Sequence, residues 1–113
     1  MVLSHRVCLF TLRRRRPPFD PEGILHDIRK GINHLHSLGL VHDDLGPWNV
    51  MVDEQGRAII VDFDAAGNPG EPSRRSKPEH PDFRAFSNDE KKFGILQKWV
   101  RREIEKWPSN TYN

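Results

Sequence analysis

The stretch that decides the fold is Val41-His42-Asp43-Asp44-Leu45-Gly46-Pro47-Trp48-Asn49, which leads directly into two short apolar runs. These runs, residues 50–52 and 58–61, flank the acidic sequence Asp53-Glu54-Gln55-Gly56. Short apolar segments around a turn that ends in glycine predict an antiparallel hairpin over residues 50–61. Because paired strands lie about 5 Å apart, this hairpin is expected to set Asn49 beside Asp62 at its open end.

The predicted hairpin collects oxygen atoms on rigid backbone. The amide of Asn49 and the carboxylate of Asp62 meet next to a loop that carries Asp43 and Asp44. Clustered oxygen ligands are what a hard cation such as Mg²⁺ requires. The residues alone therefore predict a candidate cation site, without identifying a substrate.

A helix is predicted over residues 21–38, just ahead of this loop. Asp20 suits the N-cap, Pro21 the first helical position, and Gly39 the left-handed position that follows a helix. Apolar side chains recur at helical spacing, at Ile24, Ile28, Ile32 and Leu35. The helix is therefore amphipathic and needs a packing partner. Its histidines, His26, His34 and His36, have no acidic or Cys ligand at a suitable offset, so we do not assign them to a metal.

A second amphipathic helix is predicted over residues 88–107. Ser87 and Glu90 have the spacing of a capping box, and Pro108 ends the pattern. Its apolar stripe consists of Phe93, Leu96, Val100, Ile104 and Trp107, and we interpret this stripe as core. The intervening residues 65–87 are rich in proline and predict an irregular loop.

The ends of the chain are less informative. Val2, Leu3, Val7 and Leu9-Phe10 fit one face of a short helix. The basic run from Arg13 to Arg16 lacks interleaved aromatic residues and a nucleic-acid-binding module, so we do not expect nucleic acid as a partner. The chain is divided into a poorly defined segment 1–19, a main segment 20–107 and a tail 108–113.

The length of 113 residues indicates one small domain. Only 35% of the 113 residues are apolar and the net charge is +2, which does not argue for a polyanionic partner. The single cysteine, Cys8, excludes an intramolecular disulfide and favours a reducing, intracellular setting. No apolar run approaches the ~20 residues of a membrane helix. We expect a cytoplasmic protein that does not interact with membranes, and leave a nuclear location open.

The pattern His42-x-Asp44-x-x-x-x-Asn49, followed by Asp62-Phe63-Asp64, resembles the catalytic loop and metal-binding segment of protein kinases. The resemblance covers residues 20–107. The order of their helices, loops and hairpin is similar to that in the middle of a kinase C-terminal lobe. Asp89 and Gly94 in the second helix are five residues apart, like the Asp and Gly of the kinase helix that follows the activation segment. The expected fold is therefore mainly α with a small β-hairpin, a partial C-lobe like that of divergent fungal-type serine/threonine kinases.

The resemblance implies roles for individual residues. Asp44 would be the catalytic base, while Asn49, also catalytic, and Asp62 would hold Mg²⁺ against the phosphates of ATP. His42 would bridge the catalytic loop, residues 41–49, to the metal-binding segment. Asp89 would steady that loop from below, and residues 65–87 would correspond to the activation segment.

Four residues depart from the kinase pattern: Asp43, Gly46, Trp48 and Asp64 stand where Arg, Lys, Glu and Gly are usual. The loss of the Arg argues against switching through a phosphorylated activation loop. The loss of the Lys keeps open a small-molecule phosphotransferase of the aminoglycoside or choline kinase type. The acceptor is thus expected to be a protein or a small-molecule hydroxyl.

The sequence contains no Gly-x-Gly-x-x-Gly loop and no Val-Ala-Ile-Lys strand. We therefore expect a kinase-like fragment, without the N-lobe, whose resemblance implies ATP-dependent phosphoryl transfer to a Ser/Thr hydroxyl. As an isolated chain we expect it to be inactive and to bind nucleotide weakly or not at all. A non-catalytic pseudokinase or interaction module is the remaining alternative.

Overall fold

The computed structural model describes residues 7–12, 20–74 and 76–105. The predictions made for residues 1–6, 13–19, 75 and 106–113 lie outside this part of the chain. The elements, in chain order, are β1 (Val7–Cys8), α1 (Leu9–Leu12), α2 (Pro21–Ser37), β2 (Val50–Val52), β3 (Ala58–Ile60) and α3 (Phe86–Glu105). One turn of 3-10 helix, Pro47–Asn49, leads into β2. The fold is α+β, as the sequence predicts.

The predicted hairpin is formed by β2 and β3, which pair antiparallel with Val50 opposite Ile60 and Val52 opposite Ala58. The Asp53 side chain closes the turn because it accepts hydrogen bonds from the backbone N–H groups of Gln55 and Arg57, both at 2.9 Å. Local turn chemistry thus fixes the register of the hairpin, and the register determines which residues meet at its open end.

A third strand was not predicted. β1 pairs antiparallel with β2, with Val7 opposite Val52, and the Cys8 thiol donates to the carbonyl of Pro47 at 3.1 Å. The prediction that Val7 belongs to a helix face is therefore wrong, although Leu9 and Phe10 do lie in α1. A strand of two residues is too short to show an alternation of apolar and polar residues in the sequence. It is recognised only from its pairing with β2.

The helix α2 begins at the predicted residue and ends one residue early. The Asp20 carboxylate accepts from the backbone N–H of Glu22 at 3.1 Å, and Gly39 has a φ of +76°. The buried stripe is the predicted one, Ile24, Leu25, Ile28, Ile32 and Leu35. Each such side chain contributes about 1.5–3 kcal/mol when it is fully buried, which offsets the low helix propensity of Gly23 and Gly31.

The helix α3 begins at Phe86, two residues before the predicted start. Ser87 is consequently inside the first turn, and its prediction as the N-cap of a capping box is wrong. Asn88 holds the start of the helix instead through one local and one long-range contact. Its amide donates to the carbonyl of Phe83 at 3.0 Å and to the Asp43 carboxylate at 3.3 Å.

The core lies where α2 packs against both the sheet and α3. It contains Leu9, Leu45 and buried residues of the strands. The helices contribute Ile24, Leu25, Ile28 and Ile32 from α2 and Phe93, Leu96 and Val100 from α3. Leu45 belongs to the loop that precedes β2, so the core anchors the loop directly. Within the described residues, no helix is both long and apolar enough to cross a membrane.

Candidate functional site

His42 connects the loop before β2 to the segment after β3. The side chain is fully buried. Its Nδ1 accepts from the backbone N–H of Asp44 at 3.2 Å, and its Nε2 lies 2.9 Å from the carbonyl oxygen of Val61. A carbonyl only accepts and an amide N–H only donates, so the ring carries its proton on Nε2 and is neutral. His42 therefore makes the bridge that the resemblance implies, because Val61 immediately precedes Asp62.

Asp89 holds the same loop from the first turns of α3. Its fully buried carboxylate accepts from the backbone N–H of His42 at 2.8 Å and from that of Asp43 at 2.9 Å. The steadying contact predicted for Asp89 is therefore confirmed. His36, at the end of α2, adds a third partner, with its Nε2 2.9 Å from Asp89 Oδ2. Sequence reasoning missed this role of His36.

Asn49 is buried beside Asp44. Its Nδ2 donates to the backbone carbonyl of Asp44 at 2.6 Å and to the Asp44 carboxylate at 3.2 Å. Both partners are acceptors, which fixes the orientation of the amide. In the part of the chain that the structure describes, the side-chain hydrogen bonds of Asn49 are made by Nδ2, so Oδ1 is the atom left to ligate a cation.

The hairpin register brings Asp62 to the same end of the sheet as Asn49. The backbone N–H of Val61 donates to the carbonyl of Asn49 at 2.9 Å, which continues the pairing of β2 and β3 by one step. Asp62 follows as an exposed residue. The sequence-predicted residues Asp44, Asn49 and Asp62 are thus gathered at the open end of the hairpin.

Two aspartates of the site have positive φ, +70° at Asp43 and +63° at Asp62. This left-handed conformation is uncommon outside glycine, and Asp tolerates it better than most residues because its side chain can bond locally. At Asp43 the carboxylate accepts from the hydroxyl of Ser73 and from the amide of Asn88. Left-handed backbone in non-glycine residues is found preferentially at functional sites.

Residues 65–87, predicted as an irregular loop, contact the site partly through regular backbone pairing. Val41 forms an antiparallel bridge with Gly67, and Pro72 forms one with Phe83. The Arg84 guanidinium donates to the carbonyl of Ala65 at 2.9 Å. With the bond from the Ser73 hydroxyl to the Asp43 carboxylate, these contacts hold the segment against the site. Asp43 makes this contact at the position where the kinase resemblance leads one to expect Arg.

The side-chain oxygen atoms of the site fit a Mg²⁺ ion whose remaining ligands come from water and a phosphate group. Among the described residues there is no group of three His, Cys, Asp or Glu side chains able to hold a metal ion. Mg²⁺, however, is usually bound by one or two protein oxygens together with water and substrate phosphates. Asn49 Oδ1 and the Asp62 carboxylate supply such a set, so the residues fit a metal brought in with a phosphate ligand.

Comparison with known proteins identifies relatives of this site. Serine/threonine-protein kinase PKH3 of Eremothecium gossypii is 34% identical over 76 residues, which are 65% of this chain and 10% of that protein. Ribosomal protein S6 kinase alpha-1 of Homo sapiens is 38% identical over 58 residues, 49% of this chain and 8% of that protein. This chain thus spans about a tenth of the length of these curated relatives.

A solved structure, that of monomeric WbdD, is similar with a TM-score of 0.51 at 32% sequence identity, over 55% of this chain and 15% of that chain. The family model of the protein kinase domain matches residues 8–85, more than half of the 113 residues. The match begins at Cys8 in β1, includes the hairpin and the loop with Asp44 and Asn49, and ends just before α3. The chain therefore belongs to the protein kinase domain family.

Proposed function

We propose that this chain supplies the catalytic-loop and metal-binding half of a site that transfers the terminal phosphoryl group of ATP to a serine or threonine hydroxyl of a protein. The observation that carries the proposal is the position of Asn49, whose amide nitrogen is held by Asp44. Its backbone pairs with Val61, one residue before Asp62. The three polar side chains thereby have fixed places on rigid backbone. Several relatives carry serine/threonine-protein kinase or ribosomal protein S6 kinase in their names.

In this proposal each residue has one task. Asp44 accepts the proton of the substrate hydroxyl as the oxygen attacks phosphorus, and ADP leaves. Asn49 Oδ1 and the Asp62 carboxylate would hold Mg²⁺ beside the phosphates of the nucleotide, and this ion would supply positive charge to them. His42 fixes the distance between the two halves of the metal site through Val61. Preorganisation of this kind contributes because the groups are not rearranged during the reaction.

The proposal takes residues 20–107 as the kinase-like unit and includes the intracellular setting expected from the lone Cys8. Because the chain spans about a tenth of the length of its curated relatives, weak nucleotide binding is the most that is proposed for the 113 residues themselves. Turnover on a protein substrate is proposed for a kinase domain that includes them.

Thermal denaturation with and without Mg²⁺·ATP tests this proposal. Ligand at ten times its Kd stabilises the folded state by about 1.4 kcal/mol, which is a rise of several degrees in Tm for a domain of this size. We expect a Mg²⁺-dependent rise in the parent chain that Asp62→Asn abolishes. Glu54→Gln is the matched control, since it removes the same charge at the opposite end of the hairpin.

Two results of this experiment would contradict the proposal. The first is the absence of any rise at millimolar Mg²⁺·ATP, and the second is an equal rise in Asp62→Asn. Either would leave the non-catalytic pseudokinase or interaction module as the better interpretation of the chain.

A second candidate function is phosphoryl transfer to a small-molecule hydroxyl. It is favoured by Gly46, which stands where serine/threonine kinases carry Lys. Saturation-transfer NMR can compare choline and an aminoglycoside with a serine-containing peptide in the presence of Mg²⁺·ATP. Contact with the peptide alone is the expected result, and contact with the small molecules alone would replace the protein substrate in the proposal.

A further inference from the structure

An apolar cavity of about 170 Å³ opens between the catalytic loop, α1 and α3. Its lining residues are Phe10, Leu45, Gly46, Pro47, Trp48, Lys92, Ile95, Leu96 and Trp99. Sites that enclose a small-molecule ligand usually measure ~300–1,000 Å³, whereas a cavity of ~150 Å³ is enough for a benzene ring. The volume therefore fits a single bulky side chain better than a whole cofactor.

The walls of the cavity are large apolar side chains that reach solvent. Trp48 is 52% exposed, Ile95 58% and Phe10 40%. The rings of Phe10 and Trp99 stack, with centroids 6.1 Å apart and planes inclined by 14°. Adjacent exposed apolar residues around a concavity are typical of interaction sites rather than of ordinary protein surface.

Gly46 and Trp48 form a matched pair in the catalytic loop. A Cβ atom added at Gly46 would overlap the Cζ2, Cη2 and Cε2 atoms of the Trp48 indole. Any other residue at position 46 would therefore displace the indole from its place over the loop. These are the positions where the kinase resemblance leads one to expect Lys and Glu. The chain has an apolar wall in place of that charged pair.

The rim of the cavity is cationic. Lys92 lines it, and no acidic residue does so among those that the structure describes. Helical spacing places further exposed cations on the same face of α3 as Ile95, namely Lys91, Lys98 and Arg102. An ammonium group beside an apolar pocket attracts a carboxylate more strongly than one in open water, because the local dielectric is lower.

We propose that this cavity receives a bulky apolar side chain of a peptide that carries an acidic residue next to it. Leu45 to Trp48 follow Asp44 directly in the chain, so the cavity is built on the same loop as the proposed catalytic base. This assignment rests on the proposed function. The cavity is then the subsite that selects protein substrates with an apolar and an acidic residue near the phosphorylated hydroxyl. Basic peptides are disfavoured by Lys92 and its neighbours on α3.

A peptide titration of the full 113-residue chain, observed by NMR at the tryptophan indole N–H resonances, tests the proposal. The first peptide places a Phe and two Glu residues around one Ser. The second replaces the Phe by Ser, and the third replaces both Glu residues by Lys. We expect the first to shift the indole signals of Trp48 and Trp99, and removal of the Phe to weaken binding by about tenfold or more.

Three variants make the titration specific. Ile95→Ser should weaken binding of the first peptide, whereas Leu38→Ser should not, although Leu38 is equally exposed at 60% and lies outside the cavity. Lys92→Glu should weaken the Glu-containing peptide and strengthen the Lys-containing one. This exchange of preference requires direct charge recognition and would not follow from a loss of folding.

The proposal is overturned if the three peptides bind equally, or if Ile95→Ser and Lys92→Glu leave binding unchanged. It is also overturned if a single-stranded oligonucleotide shifts the same signals, with a steep salt dependence, and the peptides do not. The titration contains no nucleotide and is repeated with Glu54→Gln, in the hairpin turn and outside the cavity, which should bind peptide as the parent does. The peptide titration and the Mg²⁺·ATP test can therefore fail independently. If the chain keeps its peptide selectivity but shows no Mg²⁺·ATP effect, the peptide site stands and the proposed phosphoryl transfer does not.

Discussion

At the scale of single residues, Asp89 shows how one buried carboxylate organises the loop. It is fully buried and has contacts with two backbone N–H groups and with His36. Hydrogen bonds to a charged acceptor contribute about 1.5–3 kcal/mol each. The loop between His42 and Asp44 therefore depends on a side chain that is 45 positions further along the chain.

Replacement of Asp89 by Asn should destabilise the fold by about 2 kcal/mol or more. An amide offers only one oxygen, so at least one of the converging donors would face an NH₂ group and lose its partner. Urea denaturation measures the change. The matched control is Glu90→Gln, at the adjacent exposed position, which should cost under ~1 kcal/mol because its ion pair with Arg29 is solvated. Equal effects of the two variants would contradict this account of Asp89.

The comparison of Asp89 with His36 shows what the sequence can reveal at this scale. Asp89 was predicted to steady the loop because its spacing from Gly94 resembles the kinase helix. For His36 the sequence only argues against a role as a metal ligand. Its contact depends on how closely the end of α2 approaches the start of α3, 53 residues apart in sequence, and no local pattern encodes that approach.

At the scale of elements, two arginine–glutamate ion pairs join α2 to α3 among the described residues. Arg101 bonds Glu22 at 2.9 Å, and Arg29 bonds Glu90 at 2.7 Å. The hydrogen bonds of these arginines lower the pKa of Glu22 and of Glu90 below their ordinary value of 4.5. The Arg29 guanidinium also lies 4.3 Å from the centroid of the Phe93 ring. The ion pairs border an open groove between the helices, which Gly94 also lines.

The pH dependence of this helix pairing has a definite sign. A carboxylate whose pKa is lower in the folded chain than in the unfolded chain stabilises the fold above pH 4.5. That contribution is lost as the pH falls through the lowered pKa. The double variant Glu22→Gln, Glu90→Gln should therefore be slightly less stable than the parent at pH 6, with the difference vanishing near pH 3.

Urea midpoints at the two pH values measure this difference, and 0.5 M salt at pH 6 should reduce it because exposed pairs are screened. A difference of the same size at pH 3 would show that the variants act through packing rather than through charge.

The elements differ in how far the sequence predicts them. The two long helices follow from apolar periodicity, and the Asp20 cap and the Gly39 terminator of α2 are also local signals. The strand β1 was missed, since two residues carry no alternation and their pairing with β2 is a long-range contact. The start of α3 was misplaced because Asn88 bonds Asp43, and this tertiary contact overrides the local capping box.

At the scale of the whole molecule, the fold positions the site through three convergent connections. The core holds Leu45, the hairpin register sets Val61 beside Asn49, and α3 holds the loop through Asp89. The sequence predicts the site residues because their spacing is that of a family motif. It does not predict the cavity beside Trp48, which exists only where α1, the catalytic loop and α3 meet.

Paramagnetic broadening by Mn²⁺ in the presence of ATP tests the central claim, that Asn49 and Asp62 hold a metal together with a nucleotide. In a ¹⁵N-labelled chain, we predict ATP-dependent loss of the amide signals of Asn49 and of residues 62–64. Signals from the hairpin turn at Glu54 and Gln55 should persist, and Asp62→Asn should restore those that were lost. Broadening that is the same without ATP, or that affects the turn as strongly as the site, would contradict the claim.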